Sequence, residues 1–225
     1  YIIAEVSNPE CPWGGIYSDA ELAINTMLNE KRIQKLIGLA NAYPKIISSV
    51  SAGNEATVSW TDHMVPVERL LGYVKHLKAS VKQPITFCEN YVPWLDKLKP
   101  VGHELDVISI HTYPVWEYKT IEDALNYTIE NYHAVAHAYP NKQVIITEAG
   151  WATKSNGRGI PPHHVNEALQ QEYINQLMEW AQAESVLVYL FEAFDENWKG
   201  SDDSLEPEKH WGLFKTNRQP KLVMK

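Results

Sequence analysis

Two glutamates, Glu55 and Glu148, stand where a carboxylate-based catalyst would be expected. Each follows a short apolar run, since Glu55 closes residues 46–55 (IISSVSAGNE) and Glu148 closes residues 143–148 (QVIITE). Apolar runs of this length are typical of buried strands in a parallel sheet. Catalytic residues of α/β barrels lie at the carboxyl ends of such strands. Two carboxylates facing one cleft are the minimum equipment for splitting a glycosidic bond.

Retaining cleavage gives the two carboxyl groups different tasks. One protonates the departing oxygen and the other attacks the anomeric carbon, with the two groups roughly 5–5.5 Å apart. The acid needs a raised pKa, whereas the nucleophile must stay ionised. Asn54, directly before Glu55, could donate to the sugar 2-hydroxyl. A single Glu is more simply interpreted as a solvated loop residue, but the joint pattern favours catalysis.

The elements that must position this pair alternate along the chain. Amphipathic stretches with helical spacing lie between most of the apolar runs, and Pro44, Pro84 and Pro140 separate helices from the strands that follow. The runs predict strands near residues 2–6, 46–52, 84–88, 105–110, 143–147 and 186–191. Alternating strands and helices indicate an α/β fold whose parallel strands are joined by right-handed crossovers.

The number of strands bears on the kind of α/β fold. A (β/α)8 TIM barrel needs eight strands, whereas six are legible here. Either the first two βα units are absent at the N-terminus, or the fold is a smaller open sheet. We favour the barrel, as one catalytic domain over residues 1–225. The chain opens on the run at 2–6 rather than on a signal peptide.

Composition excludes several classes of function. The net charge of −8 argues against nucleic acid or an anionic membrane as a partner. No apolar run approaches the roughly 20 residues that span a bilayer. Cys11 and Cys88 are too few for a disulfide framework. The 8 Trp and 12 Tyr residues suit stacking on sugar rings, although such residues also fill cores.

Three ordered motifs carry a resemblance to a known family. They are residues 51–55 (SAGNE), 146–151 (ITEAGW) and 191–199 (FEAFDENWK), followed by 210–214 (HWGLF). With these motifs the chain resembles the β-1,3-glucanases of glycoside hydrolase family 17, which are retaining barrel enzymes. Ala149 stands where plant members usually carry Ser or Thr, so the resemblance is to microbial members.

The resemblance implies a role for each catalytic carboxylate and for some neighbours. Glu55 resembles the acid/base on the fourth strand and Glu148 the nucleophile on the seventh, and Tyr113 corresponds to a tyrosine that often hydrogen-bonds the nucleophile. Glu196 and Lys199 are implied in sugar binding.

Further substrate-binding candidates follow from position. Glu89 and Tyr91 close another strand at the same rim, Trp151 could stack on a sugar or wedge behind the nucleophile, and Glu192 could lie near the catalytic pair.

The expected function is retaining hydrolysis of β-1,3-glucan such as laminarin, with endo action favoured and no metal or organic cofactor. Two alternatives stay open: a transglycosylase with the same catalytic pair, and a non-catalytic glucan-binding or inactive fragment. Other substrates of related barrels are β-1,4-glucan, mannan and xylan. We expect a monomer whose partner is a glucan oligo- or polysaccharide. A polymeric substrate indicates a secreted, periplasmic or cell-surface location.

Overall fold

The computed structural model describes residues 2–3, 8–11 and 15–225. Its strands are β1 (Ile2–Ile3), β2 (Val50–Asn54), β3 (Ile85–Asn90), β4 (Val107–His111), β5 (Gln143–Ala149) and β6 (Val188–Leu190). Its α-helices are α1 (Asp19–Ala42), α2 (Val67–Ser80), α3 (Tyr91–Trp94), α4 (Lys99–Glu104), α5 (Ile121–Ala138) and α6 (Glu167–Glu184). Strands and helices alternate, which confirms the predicted α/β class. Among the described residues, no helix is both long and apolar enough to cross a lipid bilayer.

The chain divides into two units. The first contains Tyr1–Ile110 and Ala134–Ile145, and the second contains His111–His133 and Ile146–Lys225. The division passes through β4, α5 and β5, so these elements contribute residues to both units. The single catalytic domain over residues 1–225 stays a prediction.

The strands of the first unit follow one another in chain order. β1 pairs with β2 in parallel, and β2 pairs with β3 in parallel, with Val50 opposite Ile85. β4 lies next in the sheet, followed by the start of β5. A doubly wound sheet reverses its strand order at a switch point, whereas barrel strands run in sequence. The order is therefore that of a barrel rather than of the smaller open sheet.

Helices α1 and α2 cover the sheet of the first unit with one apolar face each. The buried residues of α2 include Leu70, Val74 and Leu77, which fall on one side of a helix. Helix α1 begins with a capping box, in which Ser18 and Glu21 satisfy each other's backbone N–H groups. The strands β2 and β3 are buried along almost their whole length, as expected for strands covered by helices.

The predicted start of the second strand is wrong by four residues. The N–H groups of Ile46 and Ile47 both donate to the carbonyl of Tyr43, which makes a turn after α1. Ile46 is 79% exposed, so its apolar side chain does not belong to the strand. Turn hydrogen bonds therefore outweigh the apolar pattern here. Of the strand predicted at 2–6, only Ile2–Ile3 lies within the described residues.

The second unit joins the end of β5 to β6 in parallel, with Ile146 opposite Val188 and Ala149 opposite Leu190. Helix α6 buries Tyr173, Ile174 and Leu177 within this unit. Beyond β6 the chain runs mainly through loops and short 3-10 helices.

Candidate active site

The backbone at the end of β2 takes an unusual turn. Gly53 has φ +153° and Glu55 has φ +45°, both in the region that favours glycine. A non-glycine residue held there costs on the order of 1–3 kcal/mol, and such residues cluster at functional sites. The N–H of Glu55 donates to the carbonyl of Cys88 at 2.9 Å, which fixes this turn against the end of β3. The strain falls on one of the two predicted catalytic carboxylates.

Asn54, the last residue of β2, lies beside this turn. Its carbonyl oxygen is 3.0 Å from Nε2 of His63. Its side-chain oxygen Oδ1 is buried and has no hydrogen-bond partner among the residues that the structure describes. Buried polar atoms in folded proteins are nearly always paired. The amide of Asn54 can therefore take a hydroxyl of a ligand as its partner.

Trp60 is a neighbour of Glu55 that the sequence analysis missed. Its indole Nε1 lies 3.4 Å from Oε2 of Glu55, and its side chain is 63% exposed. The residue follows the SAGNE motif by five positions, in a loop without periodicity. An aromatic residue shortly after a catalytic strand end was the available signal.

Glu89 is buried and hydrogen-bonded within the protein rather than exposed at the rim. It is fully buried, and its Oε2 accepts hydrogen bonds from the N–H of Thr57 at 3.0 Å and from the Thr57 hydroxyl at 2.7 Å. The ammonium of Lys97 donates to the Thr57 carbonyl. These contacts anchor the loop after β2. Because Glu89 is fully buried, its position does not support the predicted contact with a sugar.

Tyr91 lies at the start of the short helix α3 and is half-buried. The preceding residue Asn90 caps this helix, because its side-chain oxygen accepts from the N–H of Val92 at 2.9 Å. The structure thus places Tyr91 directly after the carboxyl end of β3, two positions beyond Glu89 in the chain. Its contact with a sugar stays a prediction.

In the second unit, Glu148 near the end of β5 contacts His111, the last residue of β4, and Tyr113, two positions after it. The hydroxyl of Tyr113 donates to Glu148 Oε2 at 2.6 Å, and Nδ1 of His111 lies 3.5 Å from the same oxygen. The N–H of Thr112 donates to the Glu148 carbonyl at 3.0 Å. Short hydrogen bonds to a carboxylate favour its ionised form.

Aromatic packing fixes the ring of Tyr113. The ring meets Trp211 edge to face at 5.1 Å between centroids, and Phe191 at 5.8 Å. The backbone of Phe191 lies close to the turn after β5, and a Cβ at Gly150 would therefore collide with the Phe191 carbonyl oxygen. Glycine is therefore required at position 150, which gives a steric reason for the glycine of the second motif.

Trp151 is buried within the second unit rather than facing solvent. It is fully buried, its Nε1 donates to the carbonyl of His164 at 2.9 Å, and its ring lies 5.4 Å from that of Tyr173. The side-chain amide of Gln170 donates to the Trp151 carbonyl at 2.9 Å. This burial leaves no exposed face for stacking on a sugar, and the role of Trp151 behind the nucleophile stays a prediction.

Glu192, Glu196 and Lys199 form one charged cluster after β6. The Lys199 ammonium lies 3.2 Å from Glu192 Oε2 and 2.9 Å from Glu196 Oε2. Burial raises the pKa of Glu192 to about 7, against the attraction of Lys199. Burial alone would lower the pKa of Lys199, but its bonds to the two glutamates outweigh burial and raise it. The ammonium also lies 4.4 Å from the centroid of the Phe191 ring.

Asp195 belongs to a different, structural network. Its Oδ1 accepts from the buried ammonium of Lys221 at 2.7 Å and from the N–H of Gly212 at 3.0 Å. Lys221 also donates to the hydroxyl of Thr153 at 2.8 Å. This network ties the last residues of the chain to the loops after β5 and β6.

Seven of the ten predicted site residues therefore fall into three groups. Asn54 and Glu55 lie together at the end of β2 in the first unit, and Glu148 and Tyr113 lie together in the second. The charged cluster after β6 joins Glu192, Glu196 and Lys199. Glu89 and Trp151 are buried supports.

Comparison with known families identifies the family of this chain. Residues 14–212 match the family described as the BtgE/BtgC glycoside hydrolase domain. The chain belongs to this family. The resemblance to glycoside hydrolase family 17 is thereby confirmed.

Individual relatives agree with this assignment. A glucan 1,3-beta-glucosidase of Arthroderma benhamiae is 27% identical over 127 residues, which cover 50% of this chain and 40% of that protein. An endo-laminarinase from Formosa Hel1_33_131 has a TM-score of 0.78 at 27% identity, over 87% of this chain and 61% of that one. The chain spans between 33% and 43% of the length of the curated relatives that it matches.

A more distant structure supports the fold alone. A family 17 β-1,3-glucanosyltransferase from Rhizomucor miehei has a TM-score of 0.70 at 20% identity, over 86% of this chain and 71% of that one. The order of the strands and these neighbours agree with the fold class of a (β/α)8 barrel.

Proposed function

We propose that this chain is the catalytic domain of a retaining glycoside hydrolase that cleaves β-1,3-linked glucan. The observation that carries the proposal is the 2.6 Å hydrogen bond from the Tyr113 hydroxyl to Glu148 Oε2 at the end of β5. A carboxylate held ionised at a strand end is what a nucleophile requires. The names of the relatives, a glucan 1,3-beta-glucosidase and an endo-laminarinase, support the substrate class.

The proposed first step forms a covalent intermediate. A carboxylate oxygen of Glu148 attacks the anomeric carbon, the glycosidic C–O bond breaks, and the leaving oxygen takes a proton from Glu55. The Asn54 amide lies beside Glu55 and would meet the sugar 2-hydroxyl, a contact that strengthens in the transition state. In the second step Glu55 takes a proton from water, whose oxygen attacks the same carbon. The bond to Glu148 then breaks, and the configuration is retained.

The charged cluster after β6 would add to sugar binding. Lys199 and Glu196 are partly exposed and carry donors and acceptors that suit sugar hydroxyls. We propose endo action on a polymer, bound by a single copy of the chain. A polymer of this kind is met outside the cytoplasm, so a secreted, periplasmic or cell-surface location follows from the substrate.

An assay of reducing ends tests the proposed function. Laminarin, β-1,4-glucan, mannan and xylan are each incubated with the wild-type chain and with the Glu55→Gln and Glu148→Gln variants. We expect release from laminarin, and a loss of about 10²–10⁴-fold in kcat for Glu55→Gln, the usual contribution of general acid catalysis. Binding of laminari-oligosaccharides without any release would instead indicate a glucan-binding protein.

Azide rescue tests the division of labour between the two carboxylates. Azide should restore turnover of an aryl β-laminaribioside in a Glu148→Gly variant and give a product of inverted configuration. In a Glu55→Ala variant it should give a product of retained configuration. The opposite pair of configurations would exchange the two roles.

A further inference from the structure

The loop between β2 and α2, residues 55–66, is fixed at both ends. Near its start, Thr57 is held by two hydrogen bonds to Glu89 and by the ammonium of Lys97. Near its end, the N–H of Val65 donates to the carbonyl of Ala56 at 2.8 Å. A loop closed by such contacts holds its apex residues in a defined position. Trp60 lies midway along this loop.

Trp60 combines a polar contact with a large exposed face. Its indole N–H points to Glu55 Oε2 across 3.4 Å, and 63% of its side chain is exposed. An exposed tryptophan leaves a large apolar surface in contact with water. Its ring offers a large contact area with a polar tip to a ligand. Contacts around catalytic carboxylates are often long in the absence of substrate and shorten when it binds.

The chemistry of Glu55 determines what this face would meet. A general acid lies within about 2.6–3.2 Å of the oxygen that it protonates, and here that oxygen belongs to the leaving sugar. A ring that contacts the same carboxylate therefore lies near the oxygen of the leaving sugar. An apolar sugar face can stack on such a ring.

Resting on the proposed function, we propose that Trp60 forms the binding site for the leaving-group glucose and positions Glu55 through its indole N–H. The same ring would then receive an incoming sugar in the second step. There an acceptor hydroxyl attacks the anomeric carbon, its proton goes to Glu55, and the bond to Glu148 breaks with the electron pair returning to that carboxylate. Trp60 thus sets the balance between transfer to sugar and transfer to water.

Two substrates separate this role from a general loss of structure. Laminaripentaose has a sugar leaving group that needs a proton, whereas 2,4-dinitrophenyl β-laminaribioside has a leaving group that needs neither proton nor sugar site. For Trp60→Ala we expect kcat/KM on laminaripentaose to fall about tenfold, corresponding to about 1.4 kcal/mol. The value for release of dinitrophenolate should stay within about twofold of the wild type, since a twofold change is only about 0.4 kcal/mol.

A second variant isolates the indole N–H. Trp60→Phe keeps an aromatic face but removes the donor to Glu55, so its loss on laminaripentaose should be smaller. With laminaribiose added to the aryl substrate, Trp60→Ala should yield less transfer product relative to hydrolysis than the wild type.

Tyr43→Ala provides the matched control, since Tyr43 is an exposed aromatic residue at the end of α1. It should retain wild-type values on both substrates. Equal losses of Trp60→Ala on both substrates, or unchanged values on both, would overturn the role of Trp60. A wild-type chain that cleaves neither substrate would instead overturn the proposed function itself.

Discussion

At the scale of single residues, the site combines strain, short hydrogen bonds and buried support. Glu55 occupies a backbone region that favours glycine, and Glu148 accepts from Tyr113 at 2.6 Å. The sequence indicated both carboxylates, because each closes an apolar strand. It did not indicate that Glu89 would be buried against Thr57, because burial of a carboxylate depends on a partner 32 positions away. Trp60 was missed for a similar reason, since loop residues carry no periodicity.

The hydroxyl of Tyr113 is expected to be important for turnover. Tyr113→Phe removes the donor to Glu148 while keeping the ring against Trp211. A hydrogen bond to a charged group contributes about 1.5–3 kcal/mol, so kcat/KM on laminaripentaose should fall about tenfold to a hundredfold. Tyr118→Phe, which alters an exposed tyrosine, is the control; equal activity of both variants would exclude this role.

The cluster around Glu192 predicts a dependence of stability on pH. Burial raises the pKa of Glu192 to about 7, whereas in the unfolded chain it lies near 4.5. Between these values the folded state binds more protons than the unfolded state, so stability is lost as the pH rises from about 4.5 to about 7. Glu192→Gln removes this loss. Its free energy of unfolding, relative to wild type, should therefore increase from pH 5 to pH 8.

Urea unfolding at pH 5 and pH 8 measures this difference. Glu179→Gln, on the exposed surface of α6, is the matched control and should show the same difference from wild type at both values. A difference for Glu192→Gln that is constant, or that decreases with pH, would contradict the raised pKa.

At the scale of elements, periodicity located the strands and helices but not all of their ends. Strand β2 begins at Val50 rather than near residue 46, because the chain after α1 first makes a turn on the Tyr43 carbonyl. The short helices α3 and α4 were not foreseen, since four to six residues are too few to show a period. Beyond β6, the loops are held by polar contacts between distant residues, which a pattern along the chain does not reveal.

The buried pair of Lys221 and Asp195 is predicted to stabilise these loops. Lys221→Met leaves Asp195 without the ammonium that lies 2.7 Å from its Oδ1. Breaking a buried pair from one side costs about 3–5 kcal/mol in the free energy of unfolding. The double variant Asp195→Asn with Lys221→Met should recover part of this loss, because no charge is left buried alone.

The exposed pair of Lys215 and Glu167 offers a comparison in the same part of the chain. Its atoms lie 3.3 Å apart, and nearly half of the Lys215 side chain is exposed. Lys215→Met should cost only about 0–1 kcal/mol, as for other surface pairs. Urea unfolding of the three variants decides the matter: a Lys221→Met cost no larger than that of Lys215→Met would contradict the structural role of the buried ammonium.

At the scale of the whole molecule, membership of the BtgE/BtgC glycoside hydrolase domain family agrees with the order of the strands. The sequence predicted the α/β class because strand and helix patterns alternate regularly, and the two carboxylates with the family resemblance favoured the barrel over a smaller open sheet. The chain spans less than half of its curated relatives, so the activity of the whole protein is a proposal built on this domain. The central claim of the proposed mechanism is that Glu148 forms a covalent glycosyl intermediate.

Trapping that intermediate tests the claim most directly. The chain is incubated with 2,4-dinitrophenyl 2-deoxy-2-fluoro-β-laminaribioside, whose fluorine slows both steps while its leaving group keeps the first step the faster one. Mass spectrometry of the digested protein should find one added fluoro-laminaribiosyl group on the peptide that contains Glu148, and none in Glu148→Gln. An adduct on another carboxylate, or a burst of dinitrophenolate without any adduct, would contradict the account.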